Sequence, residues 1–416
     1  MVNKKNNSKQ QIKYFGEKID LPEDWEITEQ QNVCEFINGY AFSESEFSNS
    51  GYHIIRIQNL TGGENYVFSN VKLPEKQFAV KGDLLFTWSG TFLPFIWQGE
   101  KSAFHYHQWK IIPKNSEDKM FLYYHLERIA DIIKNMGQSG LGMFHMTKAG
   151  MEKLPILIPK DISERKKISE TLLDVDKLIK VLESLIQKKK NIKQGTMQEL
   201  LTGKMRLEGF SCEWQQVKFD SLCKSFTKQT GFDYSANIKP KLVTTSHIGV
   251  IPFIQNKDFN AKKINFDTDY YIPENIADNY SDILLDEKCL LISISGSIGN
   301  VGIFSNLKKA FVGGAVGVAK FKNKDNLEWV LYYLLSNEGK KKFFKDTKSG
   351  AHHNLTVGGI RDMIIPLPLP DEQAAITKIL SDMDFEIQQL EKQLNKYTNL
   401  KQAMMQKLLT GEIRLV

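Results

Sequence analysis

Arg56, Gln58 and Asn59 crowd one short stretch, and side chains of these three kinds offer two-pronged hydrogen bonds that match the edges of guanine and adenine. Trp88 with Ser89, then His105, His107 and Gln108, then Ser139 and His145 follow in the same half of the chain. The second half carries a comparable set: Gln255, Asn256 and Lys257; Ser295, Ser297 and Asn300; Ser349, His352, His353 and Asn354. Ser, His and Lys suit phosphates as well as bases, so the two sets together are candidates for contacting DNA. Glycines beside them, among them Gly62, Gly90, Gly140, Gly296 and Gly313, mark tight turns where backbone amides can approach a phosphate, although such glycines also serve turn geometry alone.

Other chemistries lack their residues. Gly203-Lys204 has no upstream glycine at P-loop spacing, and Gly140-Leu141-Gly142 is too short for a dinucleotide-binding loop. No Asn-Pro-Pro or Asp-Pro-Pro tripeptide stands ready to flank an extruded base. The pairs His105/His107 and His352/His353 have neither a nearby cysteine nor a glutamate at HExxH spacing, so no metal site and no catalytic residues are expected.

The elements that position these residues come from a chain of 416 residues, 41% hydrophobic and 25% charged, which is the composition of a soluble protein with two or three cores. A net charge of +6 permits a polyanionic partner without requiring one. Lysines cluster at 188–190 and at 340–342, where a solvated face is the plainer explanation of each cluster. Cys34, Cys212, Cys223 and Cys289 show no paired spacing, which fits a reducing cytoplasm. Residues 1–18 lack the apolar core of a signal peptide and read as a dispensable tail.

The chain is written twice. With Glu164 aligned to Glu372, residues pair without a gap to Leu207 and Leu415, and 20 of the 44 pairs are identical. Both copies end in Leu-Leu-Thr-Gly-x-x-Arg-Leu. Upstream, the two copies have diverged but keep landmarks in order: Leu84 to Gly90 answers to Leu290 to Gly296, and Phe121 to Leu126 answers to Val330 to Leu335.

Each preserved segment predicts one long helix. Ile168, Leu172, Val175, Ile179, Leu182 and Ile186 in the first, and Ile376, Leu380, Met383, Ile387, Leu390, Leu394 and Tyr397 in the second, alternate at spacings of four and three, the seam of a coiled coil. Asp161 with Glu164 has capping-box spacing, Pro370 suits a first helical turn, and Gly203 and Gly411 suit left-handed stops. About forty residues make a rod of roughly 60 Å. An antiparallel pairing of the two rods is the simplest arrangement; packing of each helix on its own domain is the alternative.

The variable stretches mix short β-rich runs with one helix apiece near 118–135 and 326–345. The expected fold is therefore α+β, or mixed α/β: a tail 1–18, domains 19–158 and 209–368, and helical regions 159–208 and 369–416.

A doubled unit of variable domain and long helix, the second helix opening through Ile365-Pro366-Leu367-Pro368-Leu369-Pro370-Asp371-Glu372-Gln373, closely resembles the specificity subunits of type I restriction-modification systems. Phe36 to Phe42 before Ile55 to Asn59, and Trp88-Ser89-Gly90 after Gly82-Asp83, look like the opening pattern of that family's target-recognition domains. Lys160 to Arg165 departs from the family's usual opening of the first helix, which leaves that helix boundary and its docking details open. The resemblance implies a cytoplasmic, non-catalytic subunit of a DNA adenine methyltransferase and ATP-dependent endonuclease complex for phage defence. Each target-recognition domain would read one half of an asymmetric bipartite site on double-stranded DNA, with the helices setting the spacer. Two methyltransferase subunits would dock along the helices and restriction/translocase subunits would join them; S-adenosylmethionine, ATP and Mg²⁺ would sit on those partners. A specificity subunit for another methyltransferase-based defence system, or a coiled-coil adaptor without sequence preference, are the alternatives. Inserting four residues into one helix before Gly203 is expected to change the spacer and leave both half-sites alone.

Overall fold

The computed structural model describes residues 9–63, 65–137, 146–260, 262–296, 298–305, 308–345 and 355–415. They form two compact units, Met1–Glu183 with Lys392–Val416, and Ser184–Glu391. Each unit thus takes one variable domain together with part of each long helix, Ile162–Leu200 and Pro370–Leu408.

Within the first unit, one sheet orders its strands Cys34–Asn38, Gln108–Pro113, Leu84–Ser89 and Thr91–Ile96. A second orders them Val67–Ser69, Tyr52–Ile55, Ser102–Phe104 and Phe78–Ala79, with the central pair parallel. The second unit repeats both patterns. Cys223–Lys228, Val316–Phe321, Cys289–Ser293 and Val301–Phe304 make one sheet; Tyr271–Pro273, Val250–Ile254, Ala310–Val312 and Leu284–Leu285 make the other, again with a parallel central pair. Strands Cys289–Ser293 and Val316–Phe321 are buried on both faces, the second interrupted by Lys320, which pairs with Asp286 at 2.9 Å. Mixed α and β structure in two pseudo-repeated domains with two long helices is the fold that the repeat predicted.

The expected tail is corrected by the structure. Lys9–Tyr14 pairs antiparallel with Glu17–Pro22 through the turn at Phe15 and Gly16, and Tyr14 is buried, its hydroxyl donating to the Pro155 carbonyl at 3.3 Å. Polar residues alternate with Ile12, Tyr14, Ile19 and Leu21, a period-two pattern too short to stand out from the Lys- and Asn-rich start.

Every predicted seam residue is buried or half-buried. The long helices also enter the domain cores: Ile168 and Leu172 pack with Leu122, Tyr124 and Leu157 in the first unit, and Ile376 and Leu380 with Trp329, Val330 and Ile365 in the second. Both readings of the helices therefore hold in part, since each packs on the other helix and on a domain. Antiparallel pairing is visible inside each unit. In the second, Lys189 bridges Glu386 and Lys193 bridges Asp384; in the first, Glu164 meets Arg414 and Asp176 meets Lys401.

The preserved motif residues explain themselves in these contacts. Glu372, 1% exposed, accepts from Arg206 Nε at 2.7 Å and Nη2 at 2.8 Å, and from Trp214 Nε1 at 3.0 Å. Glu164, 2% exposed, accepts from Arg414 Nη2 at 2.8 Å and Trp25 Nε1 at 3.2 Å. The arginine of one copy latches the glutamate of the other, and each buried carboxylate is fully paired. Asp161 caps its helix, accepting from the Ser163 amide at 2.9 Å, but Glu164 does not close the expected capping box because the Arg414 latch occupies it. Gly203 and Gly411 hold φ of +72° and +73°, the left-handed stops that their positions predicted.

A second pair of contacts sits further along the helices. Lys401 reaches both Asp176 and Glu127 at 2.8 Å, and Tyr124 donates to Asp176 at 2.8 Å. In the other unit Asp384 receives Lys193 and Lys262 at 2.5 Å and the Tyr332 hydroxyl at 2.9 Å. Tyr124 is thus the counterpart of Tyr332, one residue away from the alignment that the sequence landmarks suggested. The clusters differ in charge: one lysine serves two carboxylates in the first, and two lysines serve one in the second.

That difference sets opposite pH behaviour. Burial pushes Glu127 above its usual range, with Lys401 offsetting only part. The same burial acts on Asp384, but Lys193 and Lys262 outweigh it and hold the carboxyl below its ordinary value. A carboxyl raised in the folded state favours folding while protonated and loses that contribution as pH rises. Glu127→Gln is therefore expected to stabilise the first unit at neutral pH, with the gain shrinking as pH falls through the raised folded-state value and gone below glutamate's ordinary 4.5. Urea denaturation at pH 7 and at acid pH checks this; a gain that is larger in acid is the contrary result.

Candidate nucleic-acid interface

In the first unit the candidate residues gather where strands Tyr52–Ile55, Leu84–Ser89 and Ser102–Phe104 end. The Ile55 carbonyl ties them together, accepting from the His105 amide at 3.0 Å and from Gln108 Nε2 at 2.9 Å. Trp88 joins through its amide, which donates to the His107 carbonyl at 3.2 Å, and through Nε1, which donates to the Tyr106 carbonyl at 2.9 Å. Its ring stacks on Trp109 at 17° with centroids 5.6 Å apart. Ser89 follows, half-buried, at the strand end.

Arg56, Gln58 and Asn59 do come together, on one carbonyl. Arg56 Nη2, Gln58 Nε2 and Asn59 Nδ2 donate to the Asn65 oxygen at 3.0, 2.9 and 3.1 Å. Three donors on one acceptor fix the shape of this loop, and any base contact by these atoms must exchange with that bonding. Gln108 is fully buried, and as placed it supports the Ile55 turn and presents no atom to solvent. Burial, then the neighbouring His107 and Arg56, lower the His105 pKa to about 4, so its imidazole is neutral at pH 7 and acts there as a hydrogen-bonding group without charge.

The second unit builds a corresponding patch. Asn256 Nδ2 donates to the Ser295 carbonyl at 2.5 Å, and Asn256 Oδ1 accepts from the Ser293 hydroxyl. The Gln255 amide donates to Asp258 at 2.8 Å, and Lys257 bridges Asp258 at 2.9 Å and Asp269 at 3.1 Å. The Asn300 carbonyl accepts from the Ser293 amide at 2.8 Å, which closes the turn that carries Ser295. Ser139, His145, Ser297, Ser349, His352, His353 and Asn354 lie outside the described residues.

Among the described residues no group of three or more His, Cys, Asp or Glu side chains is placed to hold a metal ion. No helix among them is long and apolar enough to cross a membrane. Sequence reasoning passed over Lys228, Gln229 and Tyr234, which line a cavity beside the Asn256 patch. Their signal was a polar turn, Gln-Thr-Gly, directly after the half-buried strand that ends at Lys228.

The sequence profile of the type I restriction modification DNA specificity domain matches residues 22–194 and again 212–398. This chain belongs to that family. Each match in this specificity chain spans one variable domain and much of the helix after it, the same unit that the repeat defines. The chain is 26% identical over 418 residues to the type I restriction enzyme MjaVIII specificity subunit of Methanocaldococcus jannaschii, covering 95% of both chains. It is 24% identical over 420 residues to the type I restriction enzyme EcoBI specificity subunit of Escherichia coli, covering 95% of this chain and 87% of that one. Among solved structures, the type I restriction-modification S subunit from M. genitalium shares the fold with a TM-score of 0.56 at 14% identity, over 92% of this chain and 96% of that one. A chain from a structural study of complex assembly in the type I system gives 0.56 at 16% identity, over 95% and 100%. As a type I specificity chain, the protein has the recognition of DNA sequence as its function.

Proposed function

We propose that this chain is the non-catalytic address of a type I complex: each variable domain reads one half of a split, asymmetric DNA site, and the paired helices set the gap. The observation that carries the reading is that two domains with the same sheet order present different chemistry at the same strand ends. Arg56, Gln58, His105 and Trp88 stand in one where Gln255, Lys257, Gly313 and Ile294 stand in the other. One scaffold with two different readers suits a site whose halves differ. Two methyltransferase subunits dock along the helices, supply S-adenosylmethionine chemistry and turn out the adenine they modify; translocating nuclease subunits bring ATP and Mg²⁺.

Cells expressing this chain with its methyltransferase subunit are expected to carry methylated adenine in a motif of two short half-sites with a fixed gap. Modification-sensitive long-read sequencing of their DNA checks this. A bound complex that methylates no gapped motif would overturn the reading and favour an adaptor.

A further inference from the structure

Where strands Cys223–Lys228, Val250–Ile254 and Ala310–Val312 end, the second unit holds a cavity of about 360 Å³. Part of its lining is aromatic: Tyr234 lies at 21° to Phe253, with ring centroids 6.5 Å apart. Another part is bare backbone at Gly313 and Gly314, where a Cβ on Gly313 would stand 3.3 Å from the Phe253 ring. Aromatic and side-chain-free surfaces together suit a flat ring.

Gln229 supplies the polar element. It lines the cavity, is 3% exposed, and neither atom of its carboxamide has a hydrogen-bond partner. Its Oε1 lies against Gly314. A buried amide lacking both bonds is unfavourable, and a ligand edge that sets a donor beside an acceptor relieves it. Adenine offers such an edge to a glutamine. Lys228 adds a positive charge to the lining, suited to a phosphate, and Asn256 joins the cavity to the Ser293–Ser295 turn. Phe232, within the Thr230–Tyr234 segment that lines the cavity, is 79% exposed.

At the equivalent position of the first domain the described residues approach closely. Gly39 follows Cys34–Asn38 as Gln229 follows Cys223–Lys228, but a Cβ there would come within 2.3 Å of the His105 carbonyl oxygen, and Tyr40 bridges to His105. The cavity is therefore a property of the second domain's sequence and not of the shared scaffold.

We propose that the second domain turns one adenine of its half-site out of the duplex into this cavity, with Phe232 filling the gap in the stack and Gln229 reading the base. A base still paired shows its edge only at the groove, beyond a side chain this deeply buried, so reading by Gln229 requires the base to leave the stack. An exposed apolar ring beside the cavity is the wedge such a step uses. The inference rests on the DNA-reading role proposed above.

The test uses the full chain bound to its methyltransferase subunit and duplexes carrying 2-aminopurine at each adenine of the second domain's half-site in turn. One position, distinct from the methylated adenine, is expected to brighten on binding. Phe232→Ala is expected to abolish that rise while leaving the signal at the methylated adenine in place. Phe232 is too exposed for its loss to disturb folding. Gln229→Leu is expected to weaken binding about tenfold and to relax the preference at that position alone, the size of one lost two-pronged contact. Sequence-specific binding in which no position responds to either variant overturns the pocket while leaving the DNA-reading role standing. Absence of any sequence preference in the wild-type complex removes the DNA-reading role, and the pocket with it.

Discussion

Lys401→Met is expected to destabilise the first unit by about 2–4 kcal/mol, while the matching change in the second unit, Lys193→Met, costs less than half as much. Lys401 is 12% exposed and lies between Glu127 and Asp176, which are 23% and 18% exposed. Removing it leaves two carboxylates facing each other with no counter-charge, and stranding partners in a buried ion cluster typically costs about 3–5 kcal/mol. Partial solvent access to both carboxylates reduces that figure. Asp384, by contrast, keeps Lys262 at 2.5 Å and the Tyr332 hydroxyl when Lys193 is lost. Hydrogen exchange of the full chain under mild denaturant resolves the two units and checks the ratio. Equal losses in both units would mean that packing, and not the charge count, decides. Adding Glu127→Gln to Lys401→Met should recover a large part of the loss, because one of the stranded charges is then gone.

The repeat made most of this architecture legible. Twenty identities in one register marked the two helices, their seam and their ends, and the left-handed glycines at 203 and 411 followed from position alone. What the spacing concealed was the use of the most strongly preserved polar residues. Glu164 looked like a capping residue because it stands three residues after Asp161, but Arg414 takes it, a partner 250 residues away that no local rule finds. Tyr124 was aligned one residue out because Tyr123-Tyr124 and Tyr332-Tyr333 both offer two tyrosines, and only contact with Asp176 or Asp384 tells them apart.

The candidate interface was legible by composition and less so by geometry. Arg56 and Asn256 stand just past strand ends, yet Arg56 Nη2 and Asn256 Nδ2 are bound to loop carbonyls. Gln108 looked identical in type to Gln58, but it follows a turn into a strand whose inner face is buried. Gln229 was overlooked because a single glutamine after a strand resembles any turn residue. Its meaning lies in what surrounds it, and above all in the missing side chains at Gly313 and Gly314, which are distant in sequence.

Matched insertion of seven residues in both helices, between Asp176 and Lys193 in one and between Asp384 and Lys401 in the other, is expected to lengthen the spacer of the methylated motif and leave both half-sites unchanged. The latches and ion clusters replace the simpler expectation for a four-residue insertion in one helix. A one-sided insertion ahead of Lys193 shifts that residue and Arg206 away from Asp384 and Glu372, so it should abolish methylation by breaking the second unit's contacts. Seven residues added to both strands of the pair keep the seam in phase, since the apolar pattern repeats every seven. Asp176 still meets Lys401 and Lys193 still meets Asp384, with about 10.5 Å of extra helix between the clusters at ~1.5 Å per residue. That reach corresponds to at most roughly three base pairs at ~3.4 Å each. Moving a half-site three pairs along also carries it about a third of a turn around the duplex, at ~10 pairs per turn, which opposes the full extension. A gap longer by one to three base pairs is the expected result in the methylated motif. An unchanged gap in a complex that still methylates would show that something other than the helices measures the spacer, and altered half-site letters would show that the readers are not independent of it.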